Sequence, residues 1–239
     1  PLIFICIGKI VFPLILLRIA LEDYSTISMR FEDIYASSGC IILFLIGLAG
    51  VIALCIKSLY SKYYGSKSIY TLLTIPVKRE IVYFSRLAAF LIYFLLFLAS
   101  ELIGIFIGYR FVISYISTLT NEKNYLITNG LFLAFVRSDF LRIILPLGIE
   151  SLIYSISILI SIVCGLYYAV LCERSKRYWG FVLIGIVVFI LIRGIVYPIT
   201  HMTSLDKFKT KDIYSLPLIG FSVLFIWDSI RLVKGGAIT

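Results

Sequence analysis

Continuous apolar runs of about 20 residues, repeated along the chain, decide most of what this sequence can fold into. They cover Leu2–Leu21, Gly39–Ile56, Leu87–Tyr109, Ile143–Leu171, Trp179–Thr200 and Pro217–Val233. A run of that length crosses the hydrocarbon core of a bilayer as a helix, whose backbone donors and acceptors are satisfied within the segment. A membrane β-barrel would alternate apolar and polar residues, and these runs do not. With 61% of residues hydrophobic, only 15% charged and a mean hydropathy of +1.06, no stretch is left that could build a soluble domain. The expected fold is all-α: a single polytopic domain over residues 1–239 with six transmembrane helices. The first run lacks a small-residue cleavage site, so it reads as a span and not as a cleavable signal peptide.

The formal charge of +9 does not point to nucleic acid, because the basic residues flank the apolar runs instead of covering one face of a soluble fold. There they set topology and meet anionic headgroups. Cys6, Cys40, Cys55, Cys164 and Cys172 lie within or at the ends of apolar runs, where a thiol behaves as a small hydrophobe. Their spacing fits neither a disulfide framework nor a metal site. His201 is the single histidine and cannot build a metal centre alone. No catalytic motif and no Gly-rich phosphate loop occurs, so the chain is expected neither to be an enzyme nor to bind ATP through such a loop.

Six spans put both termini on one side. Lys57, Lys62, Lys67, Lys78, Arg79, Arg86, Arg174, Lys176, Arg177, Arg231 and Lys234 share that side. Arg30, Arg110, Lys123, Arg137, Arg142, Lys207, Lys209 and Lys211 lie opposite, mixed with most of the acids. The excess of positive charge predicts cytoplasmic termini and cytoplasmic loops at Lys57–Arg86 and Cys172–Tyr178. On the outer side, NGLFLAFVRSDF from Asn129 to Phe140 is apolar but too short to span. It reads as an interfacial or re-entrant helix held at headgroup level by Arg137, Asp139 and Arg142; the alternative is an early start of the fourth span.

Within the basic loop, Ser66–Pro76 (SKSIYTLLTIP) has helix-start and helix-stop signals. Gly65 allows the turn, Ser66 or Ser68 can cap, and Pro76 ends the segment. Ile69, Leu72 and Leu73 recur at helical spacing and form one apolar face. Two turns of helix are marginal in water and need lipid or a protein surface.

Charges inside the spans are costly and mark function or packing. Glu101, Glu150 and Arg193 fall at similar depth, so Arg193 is expected to pair with one or both carboxylates. The pairing would serve either as an outer gate or substrate contact, or as a fixed ion pair between helices. Lys9 and Asp228 have no evident partner in the sequence. Tyr154, Ser157, Ser161, Gly165 and Tyr168 continue from Glu150 as a polar stripe along the fourth span, read as packing or as the lining of a path. Ser100, Gly104 and Gly108 give the third span a small-residue seam suited to close helix approach.

The run Tyr70-Thr71-Leu72-Leu73-Thr74-Ile75-Pro76, followed by Lys78 and Arg79, resembles the coupling segment of ABC transporter permeases of the type-2, exporter-like class. The segment 129–140 is similar to stretches of small peptide or bacteriocin exporter permeases from Gram-positive bacteria. The resemblance covers the whole chain in layout and two short stretches in detail. It implies a permease subunit whose coupling residues are Ser66, Ser68, Ile69, Tyr70, Leu72, Leu73, Thr74 and Pro76. Its partners would be a separate ABC ATPase subunit carrying ATP and Mg, and a second permease copy or paralogue. It further implies a multi-pass protein of a Gram-positive cell membrane that exports amphipathic peptides for toxin export or self-immunity. Export of drugs, lipids or glycan precursors, or a non-transporting sensor or structural subunit, are the other readings.

Overall fold

The computed structural model describes residues 1–23, 31–64, 79–119, 130–146, 148–200 and 207–234. Among them every regular element is a helix: α1 (Leu2–Asp23), α2 (Phe31–Ser37), α3 (Cys40–Tyr64), α4 (Arg79–Leu119), α5 (Gly130–Arg137), α6 (Asp139–Ile144), α7 (Ile149–Arg174), α8 (Trp179–Thr200) and α9 (Lys207–Lys234). Five stretches are long and apolar enough to cross a membrane: Leu2–Leu21, Cys40–Ser61, Glu80–Tyr115, Ser151–Arg174 and Tyr214–Lys234. The apolar part of α8 found by the same criterion is shorter, Trp179–Gly194. The chain is thus a helical, multi-pass membrane protein.

Several helices outrun the apolar runs that announce them. α3 continues past Ile56 to Tyr64, and α4 extends the third run at both ends to 41 residues. At about 1.5 Å per residue, α4 is about twice the length of the ~30 Å hydrocarbon core. Glu80, Arg86 and Arg110, which flank the third apolar run, therefore lie within α4 without ending it. α9 begins at Lys207, ahead of Pro217, which sits inside it.

The polar, acidic stretch between the first two apolar runs contains α2. Its residues Phe31, Ile34 and Tyr35 are buried at i, i+3 and i+4, and Glu32 and Asp33 occupy the first turn, where the helix dipole favours acids. The amide of Ser38 donates to the carbonyl of Ile34 at 2.9 Å, and Gly39 follows at φ +80°. The left-handed glycine closes α2 and lets α3 begin at once.

Residues 130–144 hold two short helices, Gly130–Arg137 and Asp139–Ile144, separate from α7, which begins at Ile149 and not at Ile143. The hydroxyl of Ser138 accepts from the amide of Leu141 at 3.3 Å and so caps α6. Pro146 then keeps Leu145 out of helical geometry (φ −120°, ψ 93°). α5 buries Ala134 and Phe135 while Phe132, Leu133 and Val136 stay exposed, so both of its faces are apolar.

The residues fall into two units, 1–54 with 93–147 and 55–92 with 148–239. The divisions at 54/55 and 92/93 lie inside α3 and α4. The first unit has a core of Leu17, Phe31, Ile34, Tyr35, Ile105, Tyr109, Ala134, Phe135 and Leu141, drawn from α1, α2, α4, α5 and α6. In the second unit, α7 packs chiefly along α9, and also touches α8.

Candidate functional site

In the first unit, α1 turns one stripe inward. Lys9, Pro13 and Leu17 are buried, while Ile3, Phe4, Ile7, Val11, Phe12, Ile15 and Ile19 are exposed. The seam foreseen on the third span receives this stripe. A Cβ on Gly104 would lie 3.0 Å from the carbonyl oxygen of Lys9, and one on Gly108 would lie 2.8 Å from Cδ1 of Leu17. Pro13 has no amide hydrogen, so the carbonyl of Lys9 lacks its usual helical donor. Gly104 brings the α4 backbone up to that freed carbonyl.

The side chain of Lys9 reaches Glu101 of α4 and pairs with its Oε2. Both residues are 2% exposed. The hydroxyl of Tyr35 donates to the other oxygen, Oε1, at 2.7 Å. The Lys9 ammonium also sits 4.7 Å from the ring centroid of Phe44 and 5.0 Å from that of Phe97, at cation–π range. Burial, reinforced by the Glu101 carboxylate, pushes the Tyr35 phenol above its ordinary value, so Tyr35 stays a donor. A buried pair of this kind gains little over apolar residues of the same size, but losing one partner leaves a bare charge in a dry setting.

Lys9, which had no evident partner in the sequence, is therefore the partner of Glu101. Arg193, expected there, is exposed on α8 with its guanidinium 5.6 Å from the Phe189 ring centroid. Glu150 lies in the first turn of α7, and its side chain falls outside the described residues.

The second unit places the α7 stripe in a helix contact. Tyr154, Ser157, Ser161 and Tyr168 are all buried. The Ser161 hydroxyl donates to the Leu218 carbonyl at 3.1 Å and lies 2.9 Å from the Ser222 hydroxyl. A Cβ on Gly165 would meet Phe225 at 3.7 Å, and one on Gly194 would meet the Tyr154 hydroxyl at 2.6 Å. Tyr168 stacks on Phe225 and donates to Asp228 at 2.8 Å. Asp228, also without an evident partner in the sequence, takes Arg177 as well, at 3.4 Å. The stripe expected as packing or lining is thus buried on the α8 and α9 side of α7.

Arg177 is aimed by a turn shorter than the expected Cys172–Tyr178 loop. α7 runs on to Arg174 and ends in a Schellman motif: the Arg177 amide donates to the Cys172 carbonyl at 3.1 Å, and that of Lys176 to Glu173 at 3.3 Å. Lys176 occupies the left-handed position, φ 53°, that glycine usually fills. Tyr60 bonds Glu173, and Lys234 pairs with Glu80 at 2.9 Å.

The coupling residues read from the sequence (Ser66, Ser68, Ile69, Tyr70, Leu72, Leu73, Thr74 and Pro76) lie outside the described residues. Three or more His, Cys, Asp or Glu side chains able to share a metal ion do not occur among the described residues. Lys9 and Tyr35 were missed as site residues. Their signals were a lone lysine inside an apolar run and a tyrosine on the buried side of a short helix. Searches with protein-family models, among curated proteins and among solved structures found no match to this chain.

Proposed function

We propose that the chain is the membrane subunit of an ATP-driven ABC exporter of the type-2 class, with α8 as a sixth crossing and the termini cytoplasmic. One observation carries this reading. The run Tyr70–Pro76 with Lys78 and Arg79, which resembles a coupling segment, joins two helices that are both long and apolar enough to cross a membrane. A short segment with an apolar face of Ile69, Leu72 and Leu73, anchored between two such helices, suits docking into a cleft on a soluble ATPase. ATP and Mg would reside on that partner, and two permease copies or paralogues would complete the assembly. The aromatic, apolar character of the chain suits an amphipathic peptide as cargo.

The experiment is reconstitution with the candidate ATPase, followed by ATPase and peptide-efflux measurements. Leu73→Asp is expected to lower substrate-stimulated ATPase and efflux at least tenfold while membrane insertion stays normal. Normal stimulation and efflux in that variant would remove the docking assignment. Failure of the chain to co-purify with any ATPase would remove the transporter reading.

A further inference from the structure

The charge cluster of the first unit has the chemistry of a ligand site. Setting Lys9 aside, Glu101 offers one oxygen already held by Tyr35 at 2.7 Å and another that faces the space the ammonium fills. Phe44 and Phe97 present their rings to the same point. A carboxylate facing aromatic rings is a general way to hold an alkylammonium group, because the ion meets both a charge and the negative faces of the rings. The space is cut for an unbranched chain. A Cβ on Gly47 would come within 3.0 Å of both Lys9 Cε and a Phe97 ring carbon. The walls belong to α2, α3 and α4, and only the occupant comes from α1.

We propose that Tyr35, Phe44, Gly47, Phe97 and Glu101 form a recognition slot for a primary alkylammonium group, with Lys9 as its tethered occupant. When vacated, the slot takes an alkylammonium ligand from outside the chain. α1 is then held in its unit as a ligand is held, and an amine that reaches the slot competes with it. The inference stands apart from the transport reading, since its measurement needs neither an ATPase nor a cargo.

The test is thermal melting of the full chain in detergent, with n-propylammonium chloride as the probe, since alanine keeps Cβ and the vacated space holds three carbons and the ammonium. Lys9→Ala strands the Glu101 carboxylate and is expected to lower the melting temperature by about 10 °C. Tens of millimolar n-propylammonium should restore at least half of that loss. n-Propanol and equal sodium chloride should not, and neither should n-propylammonium in a Lys9→Ala/Glu101→Gln background. If Lys9→Ala yields no folded protein, the amine added at solubilisation should raise the yield of monodisperse chain and n-propanol should not. No recovery, equal recovery with n-propanol, or recovery that persists without the Glu101 carboxylate would overturn the slot.

Discussion

The two units treat buried polarity in opposite ways. The first concentrates it into full charges, with Lys9 and Glu101 2% exposed and the pair completed by Tyr35. The second spreads it over neutral hydroxyls, Ser157, Ser161 and Ser222, and leaves ion pairs such as Arg177–Asp228 partly open to solvent, at 53% and 24% exposed. In the second unit each buried hydroxyl can lose its partner and leave only a dipole unmet. In the first, loss of Lys9 or of Glu101 leaves an ion in a dry helix contact. The second arrangement is tolerant and the first is all-or-none.

That contrast can be broken most directly at Lys9. Lys9→Met should cost about 3–5 kcal/mol, read as a drop in melting temperature in detergent, whereas Lys9→Met with Glu101→Leu should return to within about 1 kcal/mol of the parent. If the single and double variants melt alike, the charges are not coupled and the contrast fails. Next in size is Tyr35→Phe, which removes a hydrogen bond to a carboxylate and should cost about 1.5–3 kcal/mol. Its cost should vanish when Glu101 is already replaced by Leu, which has no acceptor for the hydroxyl. Ser161→Ala in the second unit should cost only about 0.5–1 kcal/mol, and its effect should depend on Ser222 in a double-mutant cycle. The smallest change expected is a gain. Lys176→Gly relieves a left-handed lysine and should stabilise by about 0.5–1 kcal/mol, provided the Schellman turn forms as described.

The two kinds of site were unequally legible in the sequence. Five of the six expected spans came through as helices long and apolar enough to cross, because runs of about twenty apolar residues have few other uses, and the close approach at Gly104 and Gly108 came through because small residues at i+4 allow it. Helix ends did not, because a charge interrupts an apolar run while backbone hydrogen bonding carries the helix past it, as at Glu80 and Arg110 in α4. The partner of Glu101 was misassigned to Arg193 for a related reason. Depth along a span can be counted from residue numbers, but which helix lies beside which is decided by packing. α2 hid in an acidic stretch, although Phe31, Ile34 and Tyr35 already carried its period. Asp228 shows the same limit: Tyr168 lies a whole helix away in sequence and one hydrogen bond away in space.

The course of α3 and α4 bears on how the chain can be taken apart. Of the three divisions between the units, the one at 147/148 falls between α6 and α7, while those at 54/55 and 92/93 fall inside helical backbone and within stretches apolar enough to lie in lipid. A cut at either place would expose about four amides and four carbonyls on the new helix ends, where no water waits to receive them. Fragments ending there should therefore fail to insert or to complement each other, unlike fragments of proteins joined by a solvated linker. Deletion mapping with ends inside α3 or α4 would report each unit as essential, and point substitutions are the way to assign work to one unit or the other.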